Sequence, residues 1–115
     1  MSKLDAGQIT VTLDGEEVVL KPTIAAAKNI SRLLGGFQAA HQALFAQNLD
    51  AYVTVVRHGL GMKTEAEAKG LEDRVFRTGL RALVGPLTDF ILILANGGRP
   101  LEEAAEGEGE GKDAA

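Results

Sequence analysis

The chain has 115 residues and a formal net charge of -4; that length holds one modest core, and the acidic balance argues against general affinity for nucleic acid, which needs clustered Lys and Arg to displace counterions. Trp is absent, and one Tyr and four Phe are the only aromatics, so the core has to be built from Ala, Val, Ile and Leu. With no cysteine, disulfides, thiol nucleophiles and thiolate metal sites are excluded.

Residues 1–7 have no apolar h-region and read as a flexible N-terminus. Ile9, Val11 and Leu13 then alternate with Thr10 and Thr12, and Val18 and Leu20 resume the pattern after Asp14-Gly15, which predicts a β-hairpin. A two-residue type I′ turn at Asp14-Gly15 pairs Leu13 with Glu16, Val11 with Val18 and Ile9 with Leu20, placing the apolar pairs on one face. Because an isolated hairpin is marginal in water, that face has to lie on helices.

Thr23 is placed to cap a helix from Ile24 to about Leu34, closed by Gly35-Gly36. A second helix is expected over Phe37 to Gln47, burying Phe37, Ala40, Leu44 and Phe45. Asn48 or Asp50 caps a third, Ala51 to about His58, although Tyr52, Val53, Val55 and Val56 would by propensity also suit a strand. Thr64-Glu65-Ala66-Glu67 has the spacing of a capping box and predicts a helix start. After Gly70 a longer helix runs from Leu71 through Val75, Phe76, Leu80 and Leu83 toward Gly85-Pro86, where Pro86 either kinks or restarts it. The stretch Leu87 to Asn96 is almost wholly apolar and stops at Gly97-Gly98 and Pro100. Residues 101–115 are acidic and Gly-rich, without large apolar groups after Leu101, and are expected to be a disordered tail. The expected architecture is α+β, mainly α: an N-terminal hairpin packed on a bundle of about five short helices, with a single folded domain over 8–100.

Little here points to chemistry, and no catalytic, cofactor-binding or metal-ligating residue is nominated. His41 and His58 lack a second His or a carboxylate at ligand spacing. Ser2 and Ser31 are the only serines, and neither lies in a Gly-x-Ser-x-Gly turn. Gly59-Leu60-Gly61-Met62-Lys63-Thr64 misses the Walker spacing. Arg74, Arg77 and Arg81 form one helical stripe beside Glu72 and Asp73, a solvated face, a nucleic-acid site or a contact for an acidic partner. Phe90 to Ala95 is apolar around the whole helix circumference, so this segment is either a central helix wrapped by the others or a surface covered by another chain. It falls well short of the ~20 residues that cross a bilayer, and the expectation is a cytoplasmic, non-enzymatic protein without cofactor.

Taken in order, Thr12-Leu13-Asp14-Gly15, Leu20-Lys21-Pro22-Thr23-Ile24, Gly59-Leu60, Val75-Phe76-Arg77-Thr78-Gly79-Leu80 and Leu94-Ala95-Asn96-Gly97-Gly98 resemble a known family. It is that of the small tail proteins of gene transfer agents and related long-tailed phages, grouped with the tail assembly chaperones and also labelled tail tube proteins. The resemblance spans about Gln8 to Arg99, and the acidic tail departs from it. It implies a helical protein of tail morphogenesis, encoded by a prophage or gene transfer agent, that shields the tail tape measure protein and helps tail tube subunits assemble. On that reading Leu87, Phe90, Ile91 and Leu94 are the candidates for tape-measure contact or homo-oligomerisation. One alternative is a structural component retained in the particle, disfavoured because tube subunits are β-sandwiches while this chain is helical after one hairpin. The other is a small regulatory domain binding nucleic acid through the arginine stripe.

Overall fold

The computed structural model describes residues 7–101, so the expected flexible start and disordered tail lie outside the described residues except at Gly7 and Leu101. The element order is β1 (Ile9–Leu13), β2 (Glu16–Leu20), α1 (Ile24–Leu34), α2 (Phe37–Phe45), α3 (Leu49–Gly59), α4 (Leu71–Thr78) and α5 (Leu80–Ala95). This is a two-stranded antiparallel hairpin packed on five helices, an α+β fold that is mainly α.

The hairpin register is the expected one: Leu13 faces Glu16, Val11 faces Val18 and Ile9 faces Leu20. Asp14 and Gly15 both take positive φ, 52° and 87°, as a type I′ turn requires. The turn is then tied to α4. Thr78 Oγ1 accepts from the Asp14 amide at 2.6 Å and donates to the Arg74 carbonyl at 2.8 Å. Arg77 donates to Asp14 Oδ2 through Nε and Nη2, and Arg74 to Glu16 at 2.8 Å. The buried face of the hairpin, with Leu13 and Leu20 fully covered, lies on α3, α4 and α5.

The Thr23 side chain accepts from the Ala26 amide, and Gly35 closes α1 in the left-handed conformation at φ 86°. Asn48, not Asp50, caps α3 by accepting from the Ala51 amide, so the helix starts at Leu49, earlier than expected. Tyr52, Val55 and Val56 point inward from it. Their strand propensity is outweighed by burial on a helical stripe. The Tyr52 hydroxyl donates to the Leu44 carbonyl at 2.6 Å inside the core. Gly59 is where β2 crosses α3. A Cβ there would meet the Leu20 side chain at 3.0 Å and the Phe90 ring at 3.2 Å, and the Gly59 carbonyl accepts from the Lys21 amide.

Three expectations are corrected. The capping box forms, with Glu67 accepting from the Thr64 amide and Thr64 Oγ1 from the Glu67 amide, both at 3.1 Å. Yet residues 64–70 make turns and no regular helix: the segment is short, and Gly70 at φ 79° ends it before a stripe can be buried. The single helix expected from Leu71 toward Pro86 is instead two, bent by 108° at Gly79, whose φ 96° and ψ 131° are not helical. Finally, α5 passes through Pro86 without restarting. Gly85 before it lacks the Cβ that normally clashes with a following proline ring in helical backbone.

The core is apolar throughout, with no charged or polar residue buried among the described residues. Leu83, Leu87, Phe90, Ile91 and Leu94 of α5 belong to it, packed by the hairpin, α2, α3 and α4.

Candidate protein-binding face

The four residues nominated for partner contact, Leu87, Phe90, Ile91 and Leu94, are all core, at 0%, 0%, 1% and 5% exposure. Within the chain these four side chains face its own core. Their spacing carries the reason: 87, 90, 91 and 94 follow i, i+3, i+4, i+7, which is one stripe of a helix and faces the core. Within the same apolar run it is Leu92 that points outward, 43% exposed.

Leu92 belongs to a face shared with α2, the helix with which α5 packs most extensively. Phe37, His41 and Phe45 run along α2 at intervals of four. The His41 and Phe45 rings stack obliquely, with centroids 4.7 Å apart. Phe45 was expected in the core, but it is 66% exposed. Eight residues beyond Phe37, at 3.6 per turn, it has rotated by about 80° away from the buried side defined by Ala40 and Leu44. Helix α2 also ends at Phe45, short of Gln47, whose φ is 61°.

Two open grooves lie along the seam of α2 and α5. One, of about 290 Å³, is lined by Phe37, Gln38, His41, Ile91, Leu92 and Ala95. The other, of about 350 Å³ at the opposite end, includes Leu44, Phe45, Tyr52, Leu80, Arg81 and Val84. Charge is sparse on this face, with Arg81 the one charged side chain lining either groove. Helix α2 contains no Asp, Glu, Lys or Arg, and α5 contains only Arg81 and Asp89, in a chain whose charged residues amount to 24%. Large apolar groups on a charge-poor surface are a feature that docking surfaces share. The other strongly exposed apolar side chains, Ile24 and Leu33 on α1 and Phe76 on α4, sit on other helices. Two signals in the sequence pointed to the seam and were missed: the absence of charge from α2, and the position of Leu92 opposite the 87–90–91–94 stripe.

A cleft of about 580 Å³ between α3 and the turns at 64–70 is lined by polar and apolar groups alike. Its principal cation, Arg57, is occupied. It donates to the carbonyls of Met62 and Lys63 and pairs with Glu65 at 3.2 Å, holding the loop in place. Glu67 is held below the usual carboxylate range by the Lys63 and Thr64 amides that donate to it. Both histidines are half-buried, and no group of three or more His, Asp or Glu side chains among the described residues could hold a metal ion. The arginine stripe is divided. Arg74 and Arg77 on α4 pair with Glu16 and Asp14, while Arg81 lies beyond the 108° bend, on α5.

The segments behind the family resemblance meet in space as structural joints. Asp14 is bound to Arg77 and Thr78, Lys21 to the Gly59 carbonyl, and Pro22 lies against Gly98. At these joints they hold the fold together. Among the described residues no single helix is long and apolar enough to cross a membrane. Comparison with family models, curated proteins and solved structures gives no match for this chain.

Proposed function

We propose that the protein is a non-enzymatic assembly chaperone of tail morphogenesis, in a prophage or gene transfer agent, that binds helical segments of the tail tape measure protein. The observation that carries the binding role is the charge-poor seam of α2 and α5, with Phe45 and Leu92 exposed along it. The seam between two helices is the shape into which an amphipathic helix lays its apolar side. The partner itself comes from the family resemblance. Against nucleic acid as the partner stands the engagement of Arg74 and Arg77 by carboxylates of the hairpin, together with the net charge of -4.

Co-expression with the tape measure protein is expected to yield a co-purifying complex, reduced at least tenfold by Phe45→Ser or Leu92→Ser while the helical signal is unchanged. Stoichiometric recovery of this chain in the tube of mature particles would count against a chaperone and for a structural subunit.

A further inference from the structure

We infer that a second copy of this chain covers the outer face of α5, in an antiparallel crossing whose two-fold axis passes at Gly85. Three observations converge on that residue. Gly85 is exposed, and a Cβ built on it meets nothing within 4 Å, so another helix has open access to bare backbone there. Arg81 and Asp89, the only charged residues of α5, stand four positions before and four after it, about 6 Å along the helix axis on either side. Both are exposed, and neither has an ion-pair partner within the described chain.

A two-fold interface is isologous: where residue i meets residue j of the partner, j meets i. Charges of opposite sign at equal distances from the axis are the arrangement that such symmetry satisfies twice over. Placing the axis at Gly85 sets Arg81 of each copy beside Asp89 of the other. When the two i±4 ridges cross at the usual angle of about 50°, the residues 81–85–89 of one helix lie along those of its mate. Helices crossing in parallel, by contrast, would set like charges together. The same operation keeps whatever flanks α5 on its own side of the crossing. The exposed rings of α2 from both copies therefore come to one edge of the dimer, beside Leu92, and widen the charge-poor surface there.

Charge exchange tests this directly on the full chain. Wild type is expected to sediment at twice the 12.1 kDa chain mass. Arg81→Glu and Asp89→Arg, each alone, place two like-charge pairs across the axis and are expected to sediment as monomers. An equimolar mixture of the two variants restores opposite charges at both contacts and is expected to return to the dimer mass. The helical signal of each variant below its melting range should match wild type, since neither side chain has a partner within the described chain, while its melting temperature falls to that of a chain no longer stabilised by association. A wild-type chain that stays monomeric, or a mixture that does not reassociate, overturns the inference. If wild type is monomeric and Arg81→Glu instead abolishes capture of the tape measure protein, that protein and not a second copy covers this face. The Phe45→Ser co-purification is read separately, so the chaperone reading and the dimer stand or fall independently.

Discussion

His58 lies in the last turn of α3, partly withdrawn from water. Burial comes first, and the positive charges of Arg57 and Arg32 second, in lowering its pKa from the ordinary 6.5. The folded protein thus prefers the neutral ring, and the unfolded chain takes up the proton more readily as the pH drops below 6.5. Stability that is fully present above that pH is lost as it falls toward the depressed folded value. Thermal melts on either side of pH 6.5 are expected to show a lower melting temperature on the acid side. His58→Gln should flatten that difference, and an equal slope in both proteins would assign the pH dependence elsewhere. At the same scale, the sequence shows which residues face inward where apolar and polar positions alternate, as at Val11, Leu13 and Leu20 of the hairpin, and hides it in the all-apolar run of α5, whose 87–90–91–94 stripe reads equally as an outward face. It misleads at Phe45, where a helical drift of about 80° over two turns carries a ring out of the core.

At the scale of elements, signals that act within a few residues were readable, because hydrogen bonds between near neighbours decide them. The Asp14-Gly15 turn, the register it sets, the Thr23 cap and the Gly35 stop are of this kind. Two boundaries were not readable, one because a short segment is stopped at Gly70 and the other because partners distant in sequence decide it. The capping box of Thr64 and Glu67 closes on itself without a helix following. The split at Gly79 is favoured by the grip of Thr78 and Arg77 on the hairpin turn some 63 residues away. Glycine is required at the split, for φ 96° with ψ 131° is a conformation in which a side chain costs about 1–3 kcal/mol. Gly79→Ala is therefore expected to lose about that much stability in urea unfolding. An unchanged midpoint would mean that the bend is held by other contacts.

Across the whole molecule, the interior and the candidate docking face draw on different rings, Phe90 on α5 and Phe45 on α2. Phe90 fills the centre of the core with no exposure, and Phe90→Ala is expected to cost about 3–5 kcal/mol. Phe45, two-thirds exposed, contributes little to folding, and Phe45→Ser should change stability by no more than about 0.5 kcal/mol. Denaturant unfolding of both variants beside partner capture separates the two roles. Comparable losses of stability would place Phe45 in the fold and not on a docking surface.

Gly7 and Gly98 close the described fold side by side, so tightly that a Cβ on Gly7 would collide with the Gly98 carbonyl. A fold whose first and last described segments meet can be joined there and reopened at an exposed bend such as Gly61, yielding a circular permutant with the same interior.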